Sequence, residues 1–131
     1  MGSLTDITER KKYEEKLRES LERYDFVSKA TRDAIYDWDI ENNNLHWGEG
    51  FKKLFGHEPG EGTYTIEKYH QSVHPEDREE AFDDLKFTLQ DSSMNKWAYE
   101  YRFKRDDGSY AHVIENGYIV RNDDGAPIRM I

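Results

Sequence analysis

The sequence predicts an α+β domain: one long N-terminal helix, then a five-stranded antiparallel sheet with short helices on one face. Two observations carry this prediction. From about Asp6 to Ala30 the chain has a helical apolar period and contains neither proline nor glycine. Its last third alternates between apolar and polar residues, and the turns at Asp107-Gly108 and Asp124-Gly125 divide that third into three strands.

Composition limits the classes of function. The 131 residues suffice for one domain, and an aromatic content of 14% supplies the apolar area for a core although 36% of residues are charged. A net charge of −9 disfavours binding to nucleic acid and direct contact with an anionic membrane. The chain has no cysteine, which excludes disulfides, thiolate metal sites and cysteine-dependent flavin photochemistry.

No apolar run approaches the ~20 residues that a transmembrane helix needs. We therefore expect a cytoplasmic setting, within a parent protein that could itself be membrane-anchored. Residues 1–3, Met-Gly-Ser, are typical of an expression leftover. The predicted organisation is a connecting helix over residues 4–30 and a core over residues 31–131.

The N-terminal helix carries one apolar stripe, which needs a partner because an isolated helix of this kind is only marginally stable. The residues of this stripe are Ile7, Leu17, Leu21 and Tyr24. Two partners are open: the domain's own sheet, or a second copy of the chain in a parallel homodimer. The second alternative would make the helix a dimerisation and signalling element.

The elements that follow are short. Alternation from Ala34 to Ile40 predicts a first strand, and Leu45 to Trp47 a second. A helix at Phe51–Phe55 ends at Gly56, and a loop runs from His57 to Gly62. A further short helix carries Ile66, Tyr69 and Val73 and ends before Pro75.

The C-terminal half is more regular. Pro75 at the first helical position, followed by two acidic residues, predicts the start of a helix. Leu85 lies on the predicted buried face of this helix. Strict alternation from Trp97 to Lys104 predicts the third strand, and Tyr110 to Val120 the fourth. The fifth strand begins near Ala126 and is still running at Ile131.

Several segments, taken in order, resemble the PAS domain superfamily, in the branch with a His-Pro-Glu-Asp helix opening. The resemblance covers roughly Tyr24 to Ile131. It rests on Tyr36-Asp37-Trp38-Asp39, Trp47 leading into Phe51-Lys52-Lys53-Leu54-Phe55-Gly56, Val73-His74-Pro75-Glu76-Asp77-Arg78, Glu100-Tyr101-Arg102-Phe103 with Asp107-Gly108, and Gly125-Ala126-Pro127-Ile128-Arg129.

This resemblance implies a non-catalytic sensory or interaction domain of a larger signalling protein, of the histidine kinase or cyclic-dinucleotide enzyme type. Asp6-Ile7-Thr8 looks like the exit from a preceding PAS core (the PAC motif), which implies a tandem array and adjacent domains of the same chain as partners. The resemblance also implies that a signal passes through the N-terminal helix.

The sequence offers no catalytic constellation and no metal site. His70 and His74 are four residues apart, but Pro75 should end the helix before His74 and separate the two imidazoles. Asp37 and Asp39 share one face of the first strand, which we expect to be solvated because Tyr36 and Trp38 occupy the other face.

An aromatic cluster is the candidate ligand pocket. Its residues are Tyr36, Trp38, Trp47, Phe51, Phe55, Tyr99, Tyr101 and Phe103. These rings should converge between the sheet and the short helices, either as a filled core or as the wall of a cavity for a small molecule. The sequence assigns no cofactor. The alternatives to a sensor of an unknown small molecule are a ligand-free dimerisation or spacer module and a haem- or flavin-binding redox or gas sensor.

Overall fold

The structure, a computed structural model, describes residues 2–28, 33–58 and 64–131, with the side chains of residues 24–28 outside the described set. The first helix, α1, spans Thr8–Ser28. Asp6 caps its start, because its carboxylate accepts a hydrogen bond from the Thr8 backbone N–H (2.9 Å). The predicted end at Ala30 and the Tyr24 side chain lie outside the described residues.

The described residues of the core form five strands and three further helices. They are β1 (Tyr36–Asp39), β2 (Asn44–Trp47), α2 (Gly50–Phe55), α3 (Ile66–His70), α4 (Pro75–Gln90), β3 (Lys96–Lys104), β4 (Tyr110–Arg121) and β5 (Pro127–Met130). The strands form one antiparallel sheet in the order β2-β1-β5-β4-β3. The predicted fold class is therefore confirmed.

Local interactions determine where the short helices begin and end. Gly56 ends α2 at φ 81°, a left-handed conformation that glycine adopts without strain. His74 caps α4 through its Nδ1, which accepts a hydrogen bond from the Glu76 N–H (3.1 Å). Helix α3 ends at His70, and Val73 instead forms a β-bridge with Phe103.

One face of the sheet carries the core, in two adjoining clusters. In the first, Trp38, Leu45, Ile119 and Met130 of the sheet pack against Leu85 of α4. The second brings together α2 and the far end of the sheet; its buried residues are Phe51, Phe55, Val73, Tyr101, Phe103 and Ala111. The aromatic residues at positions 101 and 103 point inward, as the alternation in β3 predicts.

Helix α1 lies against the opposite face of the sheet. Leu17 and Leu21 are 6% and 8% exposed within the single chain. Tyr13 lies close enough to Asp37 and Arg129 that their charges act on its phenol, whose pKa is raised, chiefly by burial. The chain thus supplies its own partner for the two leucines of the predicted apolar stripe, while Ile7 remains half-buried.

The prediction that Asp37 is solvated was wrong. Asp37 is 2% exposed, and the Nε–H of Arg129 in β5 donates a bifurcated hydrogen bond to the two Asp37 carboxylate oxygens, each 2.8 Å away. A buried carboxylate is tolerated only when a partner neutralises it, which Arg129 does here with its planar guanidinium. Alternation correctly placed Asp37 on the face opposite Trp38, but could not show that α1 approaches this face.

Candidate functional site

A cavity of about 230 Å³ lies beside the aromatic core, between the start of β1 and the middle of β4. Tyr36 of β1 and Trp47 of β2 form one side, and Tyr101 of β3 and Glu115 of β4 form the other. Tyr69 of α3 and Phe55 of α2 also line it.

Glu115 is the polar centre of this cavity. Its carboxylate accepts one hydrogen bond from the Tyr36 hydroxyl at Oε2 and one from the Tyr101 hydroxyl at Oε1, each 2.6 Å long. The Tyr101 hydroxyl is also hydrogen-bonded to that of Tyr69. One carboxyl group therefore joins β1, β3, β4 and α3, although these segments are far apart in sequence.

Burial governs the acidity of this group. Glu115 as a whole is half-buried, but protein atoms surround its carboxyl so closely that desolvation raises its pKa to about 7. The hydrogen bonds from the tyrosines act in the opposite direction and limit the rise. Burial, followed by the charge of Glu115, raises the pKa of Tyr36 and of Tyr69 well above the ordinary value, so both hydroxyls stay protonated at neutral pH.

A glycine makes room for this arrangement. Gly117 lies two residues after Glu115 on the inner face of β4. A Cβ at position 117 would be 2.9 Å from the Tyr36 hydroxyl oxygen and 2.8 Å from the Met130 sulfur. Any larger residue there would displace the Tyr36 ring, so the missing side chain at 117 is what lets the Tyr36 hydroxyl reach Glu115.

Trp47 adds an unused hydrogen-bond donor. Its indole N–H is buried and has no hydrogen-bond partner within the described part of the chain. The ring stacks on Phe51 with centroids 3.9 Å apart and also contacts Tyr69 (5.7 Å) and Tyr36 (5.6 Å). A buried indole N–H normally has an acceptor. No described residue supplies an acceptor to this donor in the cavity wall.

The predicted pocket residues divide into two groups. Tyr36, Trp47, Phe55 and Tyr101 line the cavity. Trp38, Phe51, Tyr99 and Phe103 pack within or against the two core clusters instead. Sequence analysis missed Glu115 and Tyr69. The available signal for Glu115 was its position, because it shares the inward register of β4 with Ala111, Val113 and Ile119.

The two histidines are separated as expected. His70 ends α3 and His74 caps α4. Both ring nitrogens of His70 are buried without a partner among the described residues, and burial lowers its pKa to about 4. The ring lies against Phe82, with centroids 4.3 Å apart. Across residues 2–28, 33–58 and 64–131, no cluster of three histidine, aspartate or glutamate side chains is arranged to bind a metal ion.

Comparison with known proteins identifies the fold family. The sequence model of the PAS fold matches residues 44–131, more than half of the chain. The chain belongs to the PAS family. PAS domains are sensory, non-catalytic modules, so the expectation of a PAS sensory domain is confirmed. No curated protein sequence matches the chain significantly.

Solved structures agree with this PAS assignment. A sensory box histidine kinase/response regulator from Burkholderia thailandensis is 27% identical, with a TM-score of 0.66 over 83% of this chain and 79% of that one. The N-terminal domain of a diguanylate cyclase with a PAS/PAC sensor from Marinobacter aquaeolei has the same TM-score at 21% identity, over 75% and 89% of the two chains. The similarity to the diguanylate cyclase domain concerns the fold alone.

The helices of the PAS domain show no membrane-spanning character. Within the described ranges, none combines the length and the apolar composition that crossing a bilayer requires.

Proposed function

We propose that this PAS domain senses a small molecule held in the cavity beside Glu115 and relays its presence to helix α1. One observation carries the proposal: the cavity joins aromatic walls to a buried carboxyl and to an indole N–H that has no acceptor among the described residues. Small-molecule sites are typically mostly apolar with a few directed polar groups. A volume of about 230 Å³ suits a metabolite-sized ligand rather than haem or flavin.

Strand β1 supplies the route for the relay. Tyr36 faces the cavity and is hydrogen-bonded to Glu115, whereas the next residue, Asp37, faces α1 and is paired with Arg129. A ligand that binds Glu115 competes with or reorients the Tyr36 hydroxyl, and a shift of Tyr36 moves Asp37 on the other side of the same strand. For such a ligand to signal, its affinity must differ between the two arrangements.

The proposed parent is a bacterial-type signalling protein that carries a kinase or a cyclic-dinucleotide output, and its proposed location is cytoplasmic. Support comes from the similar histidine kinase sensor structure and from the fold of the diguanylate cyclase sensor domain. In such a protein α1 would connect this domain to its neighbour in the chain.

A ligand-free homodimerisation module is the second candidate. It is favoured by exposed apolar side chains near the start of the chain, where Leu4 and Tyr13 are 103% and 45% exposed. Because Leu17 and Leu21 are already buried within one chain, pairing through them would require α1 to leave its own sheet. We therefore rank ligand sensing first.

Native mass spectrometry of freshly purified protein, with an absorbance spectrum of the same sample, tests the proposal. We expect an added mass that disappears on denaturation, without visible absorbance. The variant Ala34→Leu should lose this mass because residue 34 lines the cavity, whereas Ala98→Leu on the exposed face of β3 should keep it.

Ligand sensing would be contradicted if the wild-type chain and both variants showed only the mass of the polypeptide. A dimer without added mass would favour the dimerisation module. Visible absorbance of the bound species would instead identify a haem- or flavin-type sensor.

A further inference from the structure

Strand β3 forms one edge of the sheet, and part of that edge is open. At an edge, every second residue directs its backbone N–H and C=O away from the neighbouring strand. Arg102 does so, because its carbonyl accepts a hydrogen bond from the His74 N–H (2.8 Å) and its own N–H donates one to the Asp77 carboxylate (3.0 Å). Ala98 and Glu100 share this orientation, and in the described ranges no backbone group pairs with them on that side.

The chain itself shows that this edge accepts an added segment. Val73 forms an antiparallel bridge with Phe103, and the Lys104 N–H donates a hydrogen bond to the Ser72 carbonyl (2.7 Å). This short addition stops there and leaves residues 96–100 without such a neighbour among the described residues. That stretch reads Lys-Trp-Ala-Tyr-Glu and pairs with β4 in continuous register, so neither a proline nor a bulge blocks its free edge.

Carboxylates of α4 flank the open stretch. The Asp84 carboxylate accepts a hydrogen bond from the Trp97 indole N–H (2.8 Å). Burial raises the pKa of Tyr99, and the negative charges of three nearby α4 acids raise it further. Those acids are Glu80, Asp84 and Asp77. Because Glu80 and Asp84 are exposed, an incoming strand would meet their charges, which favours a cationic partner.

A second copy of the chain fits this edge less well. Antiparallel pairing of two β3 strands about Ala98 would place Lys96 of one copy opposite Glu100 of the other. The same pairing would bring together two α4 helices, each with Glu80 and Asp84 exposed. Each copy also carries a net charge of −9, so like charges oppose the approach.

We propose that an extended basic segment of another protein adds to this edge as an antiparallel strand opposite residues 96–100. Its residue opposite Glu100 would share the outer face of the sheet with that carboxylate. Its residue opposite Tyr99 would share the inner face, where Glu80 and Asp84 lie. Two consecutive basic residues at these positions therefore meet carboxylates on both faces. This surface is separate from the cavity of the proposed function.

Three synthetic peptides test this inference on the wild-type protein. The basic peptide is acetyl-Lys-Arg-Val-Thr-Val-amide, and the acidic peptide has Glu-Glu in place of Lys-Arg. The third peptide keeps Lys-Arg but has proline in place of the first valine. That proline removes the peptide N–H that would bond to the Ala98 carbonyl, and it keeps the charge. Each peptide is titrated to about 5 mM and followed by NMR at the amides of Ala98 and Glu100.

The basic peptide should shift both amide resonances and slow their hydrogen exchange, because these N–H groups gain acceptors. We expect it to bind at least about fivefold more tightly than either of the other peptides. Equal affinity of the acidic peptide would overturn the charge argument. Equal affinity of the proline peptide, or no response of the two amides, would overturn strand addition.

A pair of α4 variants provides the second arm. Glu80→Gln should weaken the basic peptide at least about threefold, because it removes one of the flanking charges. Glu79→Gln is the matched control, because Glu79 lines the groove between α3 and α4 together with His70 and should not affect the peptide. Equal weakening in both variants would show that the overall negative charge attracts the peptide, which contradicts a site at this edge.

The free protein tests the competing occupant. Amides of Ala98 and Glu100 should exchange faster than that of Tyr99, whose N–H faces β4, and at a rate independent of protein concentration. Protection of these two amides that rises with protein concentration would place a second copy at the edge and refute the basic partner segment.

Discussion

At the scale of single residues, two carboxylates on opposite faces of the sheet are buried in different ways. Asp37 is paired with the guanidinium of Arg129. Among the described residues, the partners of Glu115 are tyrosine hydroxyls, which donate hydrogen bonds but carry no charge. An uncompensated buried carboxylate is costly, and the raised pKa of Glu115 expresses that cost.

The first prediction concerns the pH dependence of stability. Because the folded-state pKa of Glu115 is about 7 and its unfolded value is ~4.3, its contribution to stability is fully present below about pH 4.3 and is lost as pH rises through 7. Wild-type protein should lose on the order of 2–3 kcal/mol relative to Glu115→Gln over this interval. Urea unfolding at several pH values measures the difference.

Comparison with Glu100→Gln controls for the other carboxyl groups. Asp77 acts in the opposite direction and at lower pH, because hydrogen bonds from Arg102 hold its pKa at about 2. Its stabilisation is lost only as pH falls below about 4. Parallel curves for the wild type and Glu115→Gln between pH ~4.3 and ~7 would show that Glu115 titrates normally.

At the scale of elements, Arg121 joins the end of α4 to the sheet. From β4 its guanidinium donates hydrogen bonds to the carbonyls of Thr88, Leu89 and Asp91 at 2.9–3.0 Å. It also reaches the carbonyls of Met94 and Gly125. The last carbonyls of a helix have no intrahelical donor, so one side chain here satisfies most of the helix end.

The second prediction follows from this role. Arg121→Met keeps most of the aliphatic stem but leaves these carbonyls without their donor, and should lower the free energy of unfolding by about 2–3 kcal/mol. Arg105→Met, in the hairpin between β3 and β4, is the control and should cost less than about 1 kcal/mol because its contacts are few and exposed. Equal losses in the two variants, measured in urea, would disprove the capping role.

The elements themselves could be predicted from sequence because local patterns determine them. Strict alternation identified β3, and Pro75 with its following acids identified the start of α4. The site could be predicted only in part. Alternation placed Tyr36 and Tyr101 inward, but the cavity depends on Gly117 leaving room for a ring from another strand. Such long-range geometry has no local signal in the chain.

At the scale of the whole molecule, α1 and the cavity lie on opposite sides of one strand. Leu17 and Leu21 of α1 are buried within the single chain, and Tyr13 of α1 lies near the Asp37–Arg129 pair on the outer face. Tyr36 holds the inner face through Glu115. We propose that this short strand transmits the state of the cavity to the helix. A change confined to the Tyr36 hydroxyl should therefore alter the docking of α1.

Hydrogen–deuterium exchange of the Tyr36→Phe variant tests this transmission through β1. The variant removes one hydroxyl and its hydrogen bond to Glu115, and leaves α1 unaltered in sequence. We expect amides in residues 15–23 of α1 to exchange roughly three- to tenfold faster, with α4 unchanged. Tyr118→Phe, on the exposed face of β4, is the control and should leave α1 unaffected. Unchanged exchange in α1, or equal acceleration throughout the domain, would contradict transmission through β1.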